Sequence, residues 1–185
     1  DSHDVIVLGG GLAGLTLALQ LRRRFPEIDV LVLERHAHPV PEACHKVGES
    51  SVEIGAHYFE NVLGLKSHLI EKQLKKFGFR FFFSDGQRDL AAVTELGASR
   101  PLAVPSWQID RGIFENFLAE EAVRRGIRFD DGAAVRQIDL DGAGAHRVEI
   151  ERNGARELVR ARWLVDASGR ASLLKRKLYL AEDNA

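Results

Sequence analysis

Val5-Ile6-Val7-Leu8-Gly9-Gly10-Gly11-Leu12-Ala13-Gly14 runs an apolar stretch straight into glycines spaced Gly9-x-Gly11-x-x-Gly14. An apolar-periodic segment from Leu12 to Leu21 follows, then a second apolar run over residues 29–33. Glu34 closes that run 20 residues after Gly14. Strand, glycine turn, helix, strand and acid in this order form a dinucleotide-binding fingerprint. The glycines permit the tight turn, let the backbone approach a pyrophosphate and let the helix pack closely on the sheet. The helix N-terminus offers free N–H groups and a partial positive charge to phosphates. Glu34 is placed to accept hydrogen bonds from a ribose diol, and Arg35 adjoins it in the candidate cofactor site. The fingerprint alone does not choose between NAD and FAD.

Two further stretches bear on that choice. Residues 162–165 read as a buried strand that enters Asp166-Ala167-Ser168-Gly169-Arg170-Ala171-Ser172, followed by a basic helical stretch over 173–178. By residue type alone this is a strand-to-helix turn with Ser168 or Ser172 as cap. Earlier lies Cys44-His45-Lys46-Val47-Gly48-Glu49-Ser50-Ser51-Val52-Glu53-Ile54-Gly55. Ser50 with Glu53 makes a capping box, which predicts a helix from about Ser51. Gly48 supplies a backbone position able to come close to a ring or phosphate. Glu49 reads either as a carboxylate orienting a bound group, and so a candidate catalytic residue, or as a first-turn acid complementing the helix dipole.

The glycine turn and the Asp166–Ser172 turn together resemble the para-hydroxybenzoate-hydroxylase type of FAD-dependent monooxygenase, with Gly169, Ser172 and Arg176 in the places of its second signature. The Val47-Gly48-Glu49-Ser50 stretch resembles the flavin-contacting loop of flavin-dependent halogenases and their relatives. The resemblance implies FAD as cofactor, held by Gly9, Gly11, Gly14, Glu34, Arg35, Asp166 and Gly169, with Gly48, Glu49 and Ser50 near the flavin ring. It also implies oxygen chemistry through a flavin C4a-hydroperoxide on an aromatic or related small-molecule substrate. The halogenase branch implies a separate flavin reductase as partner, and the hydroxylase branch implies direct binding of NADPH. Lys76, with Lys75 second, matches the halogenases' essential lysine. The ordinary alternative is an exposed lysine at a helix end. The halogenases' tryptophan motif is not found, because Trp107 precedes Gln108-Ile109-Asp110. Flavoprotein reductases, protein-cofactor maturation flavoenzymes and a non-catalytic flavin-binding module remain alternatives.

Composition excludes other classes. Lys+Arg 26 against Asp+Glu 27 leaves a net charge of -1, which gives no electrostatic case for nucleic acid. No apolar run has the length of a membrane span and no signal-peptide pattern opens the chain, so a cytoplasmic protein is expected. The single Cys44 forbids an internal disulfide. His36, His38, Cys44 and His45 crowd one loop, but their spacing fits no usual zinc pattern, and no metal is expected. No Gly-x-Ser-x-Gly elbow exists for a serine hydrolase.

The order of elements predicts an α/β fold: a Rossmann-like, three-layer FAD-binding domain with a β-meander and part of an inserted α+β substrate lobe. Helices are expected over 12–24, 51–63, 66–75 and 110–125, the last stopped by Gly126. Residues 77–83, dense in Phe, read as a strand whose residue types favour ordinary core, with a second extended stretch over 90–94. Short strands are expected over 127–129, 134–140, 146–151, 157–161 and 162–165, with Asp141-Gly142 and Asn153-Gly154 as hairpin turns. The domain reading is 1–76 and 109–185 for the FAD-binding domain and 77–108 for the inserted lobe. In the resembled family a further Gly-Asp signature lies on a strand that would follow Ala185, so a remainder of chain, or a second chain, is expected to supply it.

Overall fold

The computed structural model describes residues 1–100, 104–143 and 145–182. Two compact units result, one of Asp1–Cys44 with Arg111–Ala185 and the other of His45–Asp110.

The first unit is an α/β layer structure built on a six-stranded sheet ordered β7-β2-β1-β10-β9-β8. Its strands are β1 (Ser2–Leu8), β2 (Val30–Leu33), β7 (Arg128–Asp130), β8 (Ala134–Asp139), β9 (His146–Arg152) and β10 (Ala155–Asp166). β1 pairs in parallel with β2 and with β10, and β2 with β7, while β8 and β9 run antiparallel as a meander. Residues 5–8 and 30–33 are buried on both sides of the sheet, as continuous apolar runs in a parallel core should be. Ile6, Leu8, Leu31 and Leu33 face Ile138, Val148, Ile150 and Val159 of the meander. Val7 points the other way, toward α1 (Leu12–Arg24), where a Cβ on Gly14 would lie 3.1 Å from it. α4 (Arg111–Arg124) buries Phe114, Leu118 and Ala122 as its periodicity predicts. Gly126 follows at φ +75°, the left-handed stop that glycine takes without strain. Asn153 and Gly154, at φ +52° and +78°, form the tight turn between β9 and β10.

Residues 157–165, expected as two strands, belong to one strand of 12 residues. No turn-forming residue interrupts it, and only its partners change. Residues 155–161 pair with β9 and residues 160–166 with β1. Past Ala161, therefore, one side of β10 has no strand partner among the described residues. The expectation of a buried strand over 162–165 fails there, with Trp163 62% exposed.

The second unit contains α2 (Glu53–His57), which continues into a π turn at Tyr58–Val62, and α3 (Lys66–Lys72). It also contains strands β3 (Leu74–Lys76), β4 (Arg80–Phe83), β5 (Thr94–Gly97) and β6 (Ser106–Gln108), paired β3-β6 and β4-β5. Trp107 anchors it, 4% exposed, and donates from Nε1 to Glu60 Oε1 at 2.7 Å. The expected capping box is absent. α2 begins at Glu53 without a side-chain cap, because residues 49–51 are drawn into extended pairing with β6. Ser51 N–H donates to Trp107 O at 2.8 Å, and Ile109 N–H donates to Glu49 O at 2.6 Å. The helix expected over 66–75 ends at Lys72, because Gln73 turns extended and accepts the Asp110 N–H at 2.7 Å through Oε1. Of residues 90–94, expected as extended, Leu90–Ala92 form a 3-10 turn and Thr94 opens β5. Phe77, Phe79, Phe81, Phe82 and Phe83 are all exposed, so the aromatic strand is not core among the described residues. By residue type Pro101 punctuates a loop, and it lies outside the described residues.

Candidate functional site

In the first unit, the site is built where β1 ends. Gly9 has φ +118°, and a Cβ there would lie 2.4 Å from Ala167 O, so the turn after β10 lies directly against the glycine turn. A Cβ on Gly14 would lie 1.9 Å from Gly9 O, which fixes how tightly α1 can begin. Gly10 is as constrained, with Glu34 Cβ and Phe129 Cε2 both 2.7 Å from its missing Cβ. Gly11 has only an ordinary contact at 3.7 Å, so its place in the spacing is not forced by protein packing.

Glu34 is held by two backbone amides, accepting from Gly10 N–H at 2.7 Å and from His36 N–H at 2.9 Å. Its carboxylate is thereby fixed at the C-terminal end of β2, the edge where α/β sheets take nucleotides. A cavity of about 220 Å³ opens here, lined by Gly9, Glu34, Arg35, Ala133, Ala134, Val135, Arg136 and Ser168 among others. Its lining combines small side chains, a carboxylate and a glycine of the turn, the kinds of group that nucleotide sites of α/β sheets use. Asp166, a candidate cofactor residue, is engaged locally. It accepts from Ser168 N–H at 3.1 Å, from the Ser168 hydroxyl and from Leu174 N–H at 2.8 Å, and so caps α5 (Leu173–Lys177). Burial pushes its carboxyl up, but the Ser168, Leu174 and Lys175 hydrogen bonds outweigh burial and hold it below the ordinary carboxylate range. Gly169 takes φ +59° with open space around it, so it is needed for conformation and not for room.

Sequence reasoning missed the Arg111–Glu115 pair of α4. Glu115 is 2% exposed and accepts the Leu12 N–H at 3.2 Å, at the N-terminus of α1, while Arg111 bonds the same carboxylate oxygen. No pattern flagged it, because a Glu one position from an apolar helix stripe reads as surface. Gly10 and Phe129 were also missed, although the run of three glycines marks a turn tighter than the fingerprint demands.

The second unit holds the remaining candidates. Gly48 has φ +93°, and Glu49 Oε1 accepts the Lys46 N–H at 3.2 Å. Lys76 lies in β3 and not at a helix end. Its ammonium donates to Ser50 Oγ at 2.7 Å and Ser51 O at 2.8 Å, and it stands 5.4 Å from the Phe79 ring centroid. An open cavity of about 480 Å³ adjoins it, lined by Val52, Glu53, Phe79, Phe81 and Leu96 among others. Ser50 and Lys76 are thus brought together, whereas no hydrogen bond or ion pair joins Glu49 to Lys76 among the described residues. His68 is pushed down to about 4 by burial and then by Lys72, so it is neutral at physiological pH. Among the described residues no three His, Cys, Asp or Glu side chains converge as a metal site, and no helix is long and apolar enough to cross a membrane.

Residues 2–183 match the FAD binding domain family, and the chain belongs to it. The chain is similar to a flavin-dependent halogenase of Dictyostelium discoideum, at 27% identity over 92% of this chain and 32% of that protein. It is also similar to an aklavinone 12-hydroxylase of Streptomyces peucetius, at 32% identity over 95% of this chain and 37% of that protein. Among solved structures, a myxobacterial chondrochloren halogenase matches with a TM-score of 0.74 at 27% identity, over 91% of this chain and 38% of that chain. The chain spans about a third of the length of the curated relatives it matches. FAD is therefore the cofactor of this chain.

Proposed function

We propose that this chain belongs to an FAD-dependent oxidoreductase that halogenates an aromatic or related organic small molecule, with reduced FAD delivered by a separate flavin reductase. Residues 1–76 and 109–185 would form the FAD-binding domain and residues 77–108 part of an inserted substrate-binding lobe. Bound FAD supplies the redox and oxygen chemistry. The chain's own part is to hold and orient it. Gly9, Gly11 and Gly14 admit the diphosphate to the backbone, and Glu34 and Arg35 take the ribose side. Asp166 and Gly169 shape the neighbouring turn, with Gly48, Glu49 and Ser50 contributing toward the ring. Lys76 is the proposed catalytic residue, an ammonium that donates a hydrogen bond to the oxidised halide or to the substrate oxygen.

The observation that carries the halogenation branch is the Lys76 ammonium, tied to Ser50 Oγ at 2.7 Å beside an aromatic-walled cavity. A cation held by two acceptors, with one ring centroid 5.4 Å away, is suited to orient a polarised oxidant. A second reading, hydroxylation with NADPH bound directly, is favoured by the 32% identity to an aklavinone 12-hydroxylase.

The test is flavin absorbance of the FAD-loaded full-length protein under anaerobic conditions. Bleaching by NADPH only when a flavin reductase is added supports the halogenase branch. Bleaching by NADPH alone supports the hydroxylase branch, and failure to bind FAD overturns both. Lys76→Ala is expected to retain FAD and its reduction while losing halogenated product, measured by mass spectrometry.

A further inference from the structure

The strand β6 has extended neighbours on both sides within the second unit. β3 pairs with it at Leu74↔Gln108, Lys75↔Trp107 and Lys76↔Ser106, and Ser50 bridges Gln108. Lys76 and Ser50 therefore stand on the two strands flanking β6, separated by about two inter-strand spacings, on the order of 10 Å. Only a side chain as long as lysine or arginine reaches that far. Lys76 does so, and its ammonium closes on Ser50 Oγ at 2.7 Å and Ser51 O at 2.8 Å.

From this geometry we infer that Ser50 is a positioning residue for Lys76, and the inference rests on the catalytic reading of Lys76 given above. A lysine ammonium has three donors on a flexible stem, and ordering that stem costs rotamer freedom. Two of the donors are committed, one to the Ser50 hydroxyl and one to the Ser51 carbonyl. The third is left for the cavity whose walls include Val52, Phe79, Phe81 and Leu96. Ser50 can act as a fixed acceptor because its backbone neighbours are pinned. Ile109 N–H donates to Glu49 O at 2.6 Å and Ser51 N–H to Trp107 O at 2.8 Å. A hydroxyl that accepts from an ammonium keeps its own proton to donate, so Ser50 can hold Lys76, which lines the cavity, without losing its own donor.

The Ser51 carbonyl cannot be removed by mutation, but the Ser50 hydroxyl can. In the FAD-loaded full-length protein, we compare wild type, Ser50→Ala, Ser50→Thr and Lys76→Ala. One readout is acetylation of Lys76 by acetic anhydride, followed by mass spectrometry. The other is bromination of phenol in the presence of bromide, with reduced FAD supplied by a flavin reductase. Ser50→Ala is expected to raise Lys76 acetylation several-fold and to lower kcat about tenfold at unchanged KM, the size of one hydrogen bond to a charged group. Ser50→Thr, which keeps the hydroxyl, is expected to restore both. Equal Lys76 acetylation in wild type and Ser50→Ala overturns the role of Ser50, whether or not phenol is turned over, and leaves the reading of Lys76 standing. Wild-type bromination by Lys76→Ala overturns both.

Discussion

Glu34 holds two backbone amides at once, Gly10 N–H at 2.7 Å and His36 N–H at 2.9 Å, and this fixes a carboxylate beside the nucleotide cavity. A charged acceptor there serves the loop, and in the proposed site a ribose hydroxyl as well. Glu34→Gln keeps the size and one acceptor but removes the charge, and is expected to weaken FAD binding about tenfold, or ~1.4 kcal/mol. Unchanged affinity by flavin-fluorescence titration would remove Glu34 from the cofactor site. Gly9, Gly14 and Glu34 were legible because glycine spacing and a strand-end acid are local features of sequence. Glu115, 103 residues from Leu12, was not, since its partner is chosen by packing of α4 on α1. Ser50 was legible as a capping residue but acts otherwise, because pairing with β6 pulls its backbone extended and turns its hydroxyl to Lys76.

At the scale of elements, α5 depends on Asp166, eight residues before the Leu174 amide it caps. The Asp166 carboxyl is held below its ordinary range in the fold. A depressed carboxyl contributes stability above its unfolded pKa of about 3.9 and loses that contribution as pH falls through the folded value. Asp166→Asn is therefore expected to be less stable than wild type near pH 7 by about 1 kcal/mol, the value of a helix cap. The gap should close in thermal unfolding scans below about pH 4. A constant difference across that range would mean that the cap does not depend on charge. The meander and α1 matched expectation because their turn glycines and apolar periods are unambiguous. β10 did not divide where expected, because a change of pairing partner leaves no trace in side-chain pattern. The helix over 66–75 was cut short because the Gln73 side chain satisfies the Asp110 amide only from an extended backbone.

Across the whole molecule, stability should be uneven. β1 and β2 are paired on both sides and buried, whereas β4 and β5 form a two-stranded pair whose residues are all exposed. Native-state amide exchange is expected to be slowest in residues 5–8 and 30–33 and orders of magnitude faster in residues 80–83 and 94–97. Comparable protection of both would mean that the aromatic pair is covered in solution. The fold class was legible at this scale because strand, helix and strand around a glycine turn admit few topologies. The exposure of the Phe-rich strand was not, because residue type states what prefers burial and not which surface provides it. Every role proposed for this chain requires FAD to bind at the glycine turn. The decisive experiment is titration of the full-length protein with FAD, followed by quenching of flavin fluorescence, with Gly14→Ala run beside wild type. Wild type is expected to bind saturably and Gly14→Ala, whose Cβ would lie 1.9 Å from Gly9 O, to lose most of its affinity. No binding by wild type, or equal binding by both, would rule that site out.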